Sequence, residues 1–488
     1  MRNHQRTQRR GGGGGTAALG GDGSDLISSL PDSIKLEILS FLPIKDVFQT
    51  DILSKRWRGL WHFIRKLDFS LLPSTPQYLQ DLNRSLTLLK TPKIESFQLC
   101  SVISAPYDCH FHEWIMFALK RGVKEVNLHF SRQQEGIKTY ILPREILECR
   151  SLTSLMLCGC KIEFLMRHSA NLPSVKTLRL MYCEIGSIGL IGSIDHLIAG
   201  CPTLENLEIL GCYVLAFIHI SSIRNPRLKY LKINQINLLE LDIDAPNLVS
   251  LDISGEFFER VSLTNVASLA QVGLGLEFGW TWYNADKCCE ILWKPLEAIG
   301  HVKDLTLSNT CVQVLALQAL KGLPAPTYNG KSLTMMTALY EWELRGIANM
   351  LGSSTNIETL NILIKSEFIV WFEEEFVEVC NTDGDYWKTL ETPFHCLLHH
   401  VKIIDITMEE RELEIHNADK EDLDYYKAYD KETNLVQFLL KNALVLEEMA
   451  ICIYKVARVS NARLLRQISR TIRRFPKAPS AKISISYR

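Results

Sequence analysis

The densest group of metal-ligating residue types lies at residues 395–400, and it comprises His395, Cys396, His399 and His400. Imidazole and thiolate are common zinc ligands, so four such groups within one or two turns could form a metal site. Apolar residues alternate with them, however, and this pattern favours a packed helix that leads into a strand and carries one or two core histidines. We therefore predict no metal site here.

Two other patterns resemble chemical motifs only in part. The Cys158/Cys160 pair and the adjacent Cys288 and Cys289 lack the ligand spacing of a standard zinc site. The glycines at 273, 275 and 279 resemble part of a dinucleotide-binding loop, but they overlap a predicted strand. The sequence has no phosphate-binding loop, nucleophile elbow or zinc-protease helix, and no acidic pair stands out as an acid–base couple. We predict no catalytic, cofactor-binding or metal-binding residue, and no enzyme activity.

Composition narrows the partners and the compartment. The 488 residues include 54 basic and 55 acidic ones, for a net charge of −1, which argues against a nucleic-acid partner. No apolar run is long enough to cross a membrane, and no apolar signal segment begins the sequence. The 14 cysteines follow no disulfide framework and are typical of reduced thiols. We expect a protein of the cytoplasm and/or nucleus, without a membrane partner.

Most of the chain repeats one short pattern: an apolar residue, two variable residues, an apolar residue, one variable residue and a third apolar residue. The pattern begins at Ile64, Ile94, Val123, Leu152, Val175, Leu204, Leu228, Leu248, Leu269, Val302, Leu333, Ile357, Val401 and Leu446. Its period of roughly 20–30 residues is that of leucine-rich repeats. Each repeat should supply one strand that buries its apolar pair against neighbouring repeats. The predicted fold is α/β, a solenoid with a curved parallel sheet and helices or loops on the convex side.

The variable residue between the two inward positions should point out of the sheet. In successive repeats this position holds Met156, Arg179, Glu208, Lys232, Asp252, Gly273 and Thr306. Because adjacent strands lie about 5 Å apart, the four charged residues should form a ladder of alternating sign. The ladder could satisfy its own charges, with about 0–1 kcal/mol per exposed pair, or a partner's polar groups could insert into it. We prefer the first interpretation for most of the ladder.

Three aromatic residues, Trp280, Trp282 and Tyr283, follow one of the repeat strands. Clustered aromatic side chains often anchor protein interfaces. They could equally cover the core beneath a long connection, and the sequence leaves both interpretations open. With Arg179, Glu208, Lys232 and Asp252, they form the candidate substrate-binding set.

Near the N-terminus, the apolar residues between positions 29 and 64 recur at helical spacing. Ser29 is a candidate helix cap, Pro31 would lie in the first turn and Asp32 would complete a capping box. Pro43 should end this helix, a second should start at about Lys45, and Ser54 is a candidate cap for a third. Three short helices bury little surface by themselves, so their apolar faces predict a partner. The apolar positions are Ile34, Ile38, Leu39 and Leu42, then Leu53, Trp57, Leu60, Trp61 and Ile64.

The two ends of the chain differ in character. Residues 1–24 are rich in Arg, Gln and Gly, include five consecutive glycines and should form a disordered tail. Residues 394–488 predict strand, helix, strand, helix and strand, which would continue and close the solenoid. Between them, 341–350 predicts an amphipathic helix and 419–429 a charged loop.

These patterns resemble a known plant family. The segment LPDSIKLEILSFLP with the later LSKRWRGLW is similar to the plant F-box, although Gln49 and Asp51 stand where a basic and a small residue are usual. The segment GCPTL at 200–204 resembles the repeats of plant F-box proteins, and 394–488 resembles the FBD segment that closes many of them. Together the resemblance to the F-box/FBD/LRR family covers about residues 25–488.

The resemblance implies a function and a division of the chain. It implies a tail at 1–24, a three-helix F-box at 25–70, leucine-rich repeats at 71–393 and an FBD-like segment at 394–488. The F-box would bind an SKP-family adaptor and, through it, a cullin, while the repeats bind an unknown protein substrate of an SCF-type ubiquitin ligase. The adaptor-binding residues would be Leu30, Pro31, Ile34, Ile38, Leu39, Leu42, Leu53, Trp57, Leu60 and Trp61.

Two other functions fit the same residues. The chain could be an F-box/LRR interaction protein without a degradative role. It could also be a small-molecule-dependent co-receptor, which we disfavour because the array is shorter than in plant hormone receptors of this type and the FBD-like end is not theirs.

Overall fold

The computed structural model describes residues 25–70, 76–102, 108–131, 139–163, 170–186, 192–213, 215–235, 238–256, 259–277, 285–365, 386–390, 393–409, 430–454 and 462–487. The predicted tail at 1–24, the aromatic group at 280–283 and the charged loop at 419–429 lie outside these residues. Within them, no helix is long and apolar enough to cross a membrane.

The main feature is one sheet of fifteen parallel strands, arranged in the order in which they occur in the chain. One strand comes from each predicted repeat and the last from the C-terminal segment, which confirms the solenoid-like fold class. The strands are Lys66–Phe69, Ser96–Val102, Glu125–Ser131, Ser154–Cys158, Thr177–Met181, Asn206–Leu210, Tyr230–Gln235, Ser250–Glu256, Gln271–Glu277, Asp304–Leu307, Ser332–Thr337, Thr359–Ile364, Ile403–Glu409, Glu448–Tyr454 and Lys482–Tyr487.

The inward positions of these strands are buried as the repeat pattern predicts. Leu207 pairs with Leu178 on one side and Leu231 on the other, so equivalent apolar residues stack from repeat to repeat. Each repeat therefore closes its core only against its neighbours. All ten inward residues that we expected to be buried are at most 2% exposed: Leu155, Leu157, Leu178, Leu180, Leu207, Ile209, Leu231, Ile233, Leu251 and Ile253.

One repeat begins three residues earlier than predicted. Leu333 pairs with Leu305 and Leu360, which are the second apolar residues of their repeats, so Leu333 is the second and not the first. Gly330 occupies the first position, where an added Cβ would lie 2.1 Å from the hydroxyl oxygen of Tyr328. The buried Tyr328 ring fills this place instead, and its hydroxyl donates to the carbonyl oxygens of Lys303 and Ser332.

The second layer of the solenoid is not helical throughout, in contrast to the prediction of helices or loops. In the middle of the array it consists of two smaller parallel sheets. Main-sheet strands begin 20 to 24 residues apart between Asn206 and Gln271, which leaves too few residues for a helix of three turns with two connections. The strands of these sheets are Tyr140–Ile141, Cys160–Ile162 and Glu184–Ile185, and Gly192–Ser193, Leu215–Ser221, Glu240–Asp244 and Arg260–Thr264.

Helices form the second layer where the repeats are longer. From Asp304 onward the main-sheet strands begin 27 to 45 residues apart, and helices fill the connections. The described helices after the F-box are Pro76–Thr87, Asp108–Lys120, Asp195–Ala199, Ala285–Ala298, Asn309–Leu320, Glu343–Ser353, Tyr386–Thr389, His395–His399, Asp430–Asn442 and Ala462–Arg474, with a 3₁₀ turn at Arg144–Glu148.

Two of these helices, Asn309–Leu320 and Glu343–Ser353, pack unusually closely. An added Cβ at Gly346 would lie 2.1 Å from the carbonyl oxygen of Val312, so only glycine permits this approach. The fully buried Glu343 carboxylate joins the two helices to the strand Ser332–Thr337. Burial raises the pKa of this carboxyl, although its hydrogen-bond donors act in the opposite direction. Five groups donate to it: Asn309 Nδ2, Gln313 Nε2, Thr337 Oγ1, Ala338 N and Tyr340 N.

Candidate functional site

The N-terminal helices are built around prolines rather than around the predicted serine caps. The helix Asp32–Leu39 begins after Pro31, and the helix Ile44–Gln49 begins after Pro43. Ser29 instead ends a separate short helix, Leu26–Ser29, which is capped by the Asp25 carboxylate. The hydrogen bond from Ser28 lowers the pKa of Asp25. The prediction of Ser29 as a cap was therefore wrong, because the chain already turns into a helix before it.

The predicted third helix is also absent from the described segment 50–64. Two 3₁₀ turns, Thr50–Ile52 and Leu60–Phe63, replace it. Gly59 lies between them with φ +75°, a conformation that a non-glycine residue would strain. Asp51 holds this turn closed, since its carboxylate accepts from Gly59 N at 2.7 Å and from Trp61 Nε1 at 3.1 Å. The Asp51 departure from the usual F-box pattern thus has a structural role here.

Three residues assigned to the adaptor surface are instead part of the core. Leu39, Trp57 and Trp61 are 0%, 2% and 8% exposed, so their side chains are not available to a partner in this conformation. The Phe48 ring packs edge-on against Trp61, with 4.9 Å between the ring centroids. The helical spacing located the apolar positions correctly, but spacing alone does not tell which of them face inward.

The remaining predicted residues are accessible to differing degrees. Ile34, Ile38 and Leu53 are exposed, as is Pro31. Leu30, Leu42 and Leu60 are half-buried. The prediction missed five exposed apolar residues of this segment: Leu26, Ile27, Phe41, Ile52 and Phe63.

These exposed residues are concentrated in a short segment. Eight of the twenty exposed large hydrophobic residues of the described chain lie between Leu26 and Phe63. Ile52 is 86% and Phe41 is 74% exposed, although the core beneath them is closed. We call Leu26, Ile27, Ile34, Ile38, Phe41, Ile52 and Leu53 the exposed apolar group. Exposed apolar residues that form a contiguous patch are typical of interaction surfaces.

The helical segment is fixed to the first repeat. The helix Ile44–Gln49 contacts the strand Lys66–Phe69, and Ile44 and Val47 belong to the same continuous core as Leu67. Ion pairs lie at the junction, between Arg65 Nη1 and Glu95 Oε1 at 3.2 Å and between Lys66 Nζ and Glu37 Oε1 at 3.9 Å. A groove of about 480 Å³ separates the helix Asp32–Leu39 from the start of the repeats.

The second candidate surface is the outward row of the main sheet. The strand register places the predicted residues side by side, with Arg179 next to Glu208, Glu208 next to Lys232 and Lys232 next to Asp252. Two ion pairs form within this ladder: Arg179 Nη2 lies 3.0 Å from Glu208 Oε1, and Lys232 Nζ lies 2.8 Å from Asp252 Oδ2. The hydrogen bond to Asp252 raises the pKa of Lys232. The ladder satisfies its own charges, as the preferred interpretation expected.

The outward row is otherwise neutral over much of its length. Before the ladder it holds Asp68 and then Gln98, Asn127 and Met156, and after it Gly273 and a run of small polar residues, Thr306, Thr334 and Asn361. Asp405 ends this run, and partial burial together with the nearby Glu448 raises the pKa of its carboxyl. The row as a whole offers hydrogen bonds rather than a charge field. The predicted anchors Trp280, Trp282 and Tyr283 fall outside the described residues.

The motifs that suggested metal or cofactor chemistry have structural explanations. Cys396 and Leu397 face the core, whereas His395 and His399 are exposed and His400 is half-buried, so the prediction of one or two core histidines was wrong. The helix turns its apolar residues inward and leaves these imidazoles in solvent. Within the described ranges, no three His, Cys, Asp or Glu residues are placed to hold a metal ion. Gly273 and Gly275 lie inside the strand Gln271–Glu277, not in a loop.

The chain joins a small helical segment with exposed apolar residues to a solenoid of one-strand repeats. This architecture is that of F-box/LRR proteins. Comparison with protein families agrees with this class. Residues 27–67 match the F-box domain. Residues 82–418, more than half of the chain, match the family described as At1g61320/AtMIF1, LRR domain.

The chain belongs to the F-box/LRR-repeat family. It is 31% identical over 357 residues to the F-box/LRR-repeat protein At3g03360 of Arabidopsis thaliana, covering 70% of this chain and 71% of that protein. It is 29% identical over 344 residues to the F-box/LRR-repeat protein At5g02910, covering 70% and 72%. A putative F-box protein of the same plant, At1g49610, is 29% identical over 365 residues, covering 72% and 88%.

Proposed function

We propose that this protein is the substrate-recognition subunit of an SCF-type cullin ubiquitin ligase. Its F-box would bind an SKP-family adaptor, which connects it to a cullin, and its repeats would bind a protein substrate. The observation that carries the proposal is the exposed apolar group, which remains in solvent although neighbouring apolar residues of the F-box, such as Leu39 and Trp57, are buried. A fixed partner that covers these residues explains why they stay apolar.

The mechanism we propose is proximity. A substrate held by the repeats would present its lysines to a charged conjugating enzyme at a raised effective concentration, so this chain needs no catalytic residue. The continuous core between the F-box and the first repeat supports this mechanism, because a fixed junction holds the substrate at a constant place relative to the adaptor. We place the complex in the cytoplasm and/or nucleus.

For the substrate surface we propose the outward row of the main sheet. The self-paired ladder of Arg179, Glu208, Lys232 and Asp252 would contribute little attraction of its own, since exposed ion pairs are worth about 0–1 kcal/mol. It would serve to reject partners that cannot meet its alternating charges. The neutral polar run from Thr306 to Asn361 would supply the hydrogen bonds. The FBD assignment of residues 394–488 stays a prediction.

The adaptor assignment can be tested with a triple variant of exposed residues, Ile34→Ser/Ile38→Ser/Leu53→Ser. Each substitution should remove roughly 1 kcal/mol of binding free energy that comes from apolar burial. The three together should lower the affinity for a purified SKP-family adaptor about 100-fold. Binding is measured by isothermal titration calorimetry on the full chain. Since none of the three is part of the buried core, the thermal transition of the chain should stay within a few degrees of wild type.

A matched control carries the same chemical change at exposed apolar positions of the repeats: Ile223→Ser/Leu323→Ser/Leu444→Ser. The control should bind the adaptor as the wild type does. Equal affinity of the two triple variants would refute the assignment of the adaptor to the F-box. Affinity purification from plant cells would then compare the wild type with the F-box triple variant. Only the wild type should bring down adaptor and cullin, and proteins that both forms retain are candidate substrates.

A further inference from the structure

The last forty residues are strongly basic, and the acidic excess of the preceding residues offsets this charge in the whole protein. After Glu448 the sequence contains ten Lys and Arg residues and no Asp or Glu. The preceding 448 residues therefore hold 44 basic and 55 acidic residues, and the near-zero net charge of the whole protein conceals a strongly basic end. A concentration of this kind creates a local positive potential.

The described residues place part of this charge on one exposed surface. The helix Ala462–Arg474 buries Ile468 and Ile472 against the preceding repeats. Arg470, Arg473 and Arg474 are exposed, and so is Lys477 in the turn that follows. We call these four residues the terminal basic face. On the helix, Arg470 lies three and four residues before Arg473 and Arg474, and Lys477 lies three residues after the helix end. This spacing lets a ligand contact several of them at once.

Within the described ranges, the residues of the terminal basic face form no ion pair with a described carboxylate. Lys477 Nζ donates to the carbonyl oxygen of Ala481 at 2.9 Å. Arg473 and Arg474 stand in the last helical turn, where they favourably oppose the helix dipole. The dipole explains those two residues only. Arg470 lies a turn earlier, and Lys477 lies beyond the helix.

The same end of the molecule has a strand edge to which a further strand could pair. Among the described strands, Lys482–Tyr487 has a single neighbour, Glu448–Tyr454. Its inward residues Ile483 and Ile485 are half-buried, whereas the equivalent residues Met449 and Ile451 of the neighbour are at most 1% exposed. Because Lys477 bonds to the residue before the strand, the basic face and the strand edge are adjacent.

We propose that this edge accepts an extended, acidic polypeptide segment of a partner protein as an additional strand. Backbone hydrogen bonds would pair with Lys482–Tyr487, and alternate apolar residues of the added strand would cover Ile483 and Ile485. Carboxylates in the residues that precede the paired segment would meet the terminal basic face, because Lys477 lies at the start of Lys482–Tyr487. Guanidinium groups suit this role because they bind carboxylates in a bidentate geometry. This surface is separate from the F-box and does not depend on adaptor binding.

Two other anionic partners fit the surface less well. A nucleic acid would extend past the basic end and meet the acidic remainder of the chain, which carries an excess of eleven negative charges. A membrane would need the apolar face of the helix Ala462–Arg474, but Ile468 and Ile472 are buried within the protein. An acidic polypeptide needs only the exposed charges and the strand edge.

The experiment uses the full chain and a fluorescein-labelled peptide of ten residues, in which four Glu residues precede a segment of alternating Val and Thr. We expect binding in the micromolar range at low salt, measured by fluorescence anisotropy. Arg470→Gln/Arg473→Gln/Arg474→Gln should weaken it at least tenfold. The control Arg150→Gln/Arg224→Gln/Arg227→Gln removes the same charge from exposed arginines elsewhere and should change it less than twofold. Circular dichroism confirms that both variants fold.

Two further measurements separate strand addition from simple charge attraction. The peptide is prepared with every second amide N-methylated, in either phase, which keeps the charge but blocks the donors on one edge. One phase should lose at least tenfold in affinity, and the other should bind as the unmodified peptide does. A ten-nucleotide single-stranded DNA and phosphatidylserine vesicles serve as alternative anions. Equal binding by both methylated phases, equal loss in the control variant, or tighter binding of DNA or vesicles through the same arginines would each overturn the proposal.

Discussion

Replacing Glu343 by alanine should open the repeat array locally, around the eleventh of its fifteen main-sheet strands. The carboxylate is completely buried and accepts five hydrogen bonds, two from the helix Asn309–Leu320, one from Thr337 at the end of a main-sheet strand and two from the loop that follows. Removal leaves several buried donors unsatisfied, and each costs about 1 kcal/mol or more. Relief of the desolvation penalty, which also raises the pKa of this carboxyl, offsets part of that loss. We estimate a net loss of about 3 kcal/mol.

The effect is best measured by hydrogen exchange, because long repeat arrays do not unfold in a single two-state step. A loss of about 3 kcal/mol in local opening free energy should lower amide protection about 100-fold in peptides that span residues 332–353. Peptides that span 204–235 should exchange as in the wild type, because each repeat contacts only its neighbours. The control is Glu341→Ala, an exposed glutamate two residues away.

Three results would refute this reasoning. Unchanged protection over 332–353 would mean that the carboxylate does not hold the helices and strand together. The same loss in Glu341→Ala would mean that a general charge effect, not the buried network, is responsible. A uniform loss over the whole array would contradict the nearest-neighbour character of the core.

Three shorter predictions test other features. Asp51→Ala should lower the stability of the F-box by about 1–3 kcal/mol through its lost bond to Trp61, so adaptor pull-down should weaken on warming while circular dichroism of the repeats is unchanged. Arg179→Ala breaks an exposed ion pair and should change the stability of the array by less than about 1 kcal/mol in urea titration. Gly346→Ala forces a Cβ against the Val312 carbonyl and should cost about 1–3 kcal/mol or more, measured as a lower thermal midpoint; an unchanged midpoint would show that the two helices can separate freely.

The main sheet could be predicted from the sequence because its code is local. Every strand carries its inward pair two residues apart, and the stacking of equivalent residues fixes the register, as Leu207 and Leu231 show. The outward row followed from the same rule, so Arg179, Glu208, Lys232 and Asp252 are neighbours as expected. The exception is the repeat that contains Leu333. There Gly330 stands at the first position, which is usually aliphatic, and the ring of Tyr328, two residues earlier, fills the space.

The F-box was less predictable because helical spacing defines a stripe but not its direction. Ile34 and Leu39 both fit the spacing, yet the first is exposed and the second is buried. The Asp51 contact with Trp61 bridges ten residues and has no sequence signature. The Glu343 network joins residues up to 34 positions apart, and only the packing of two helices brings them together.

The unbroken sheet gives this protein a fixed reach. Fifteen strands have fourteen gaps, and at about 4.8 Å each the first and last strands stand roughly 67 Å apart along the sheet. Insertion of one repeat would move everything beyond it by a single step of about 5 Å without altering either end. Related chains with more or fewer repeats could therefore differ in the distance between a bound protein and the F-box by steps of one strand spacing.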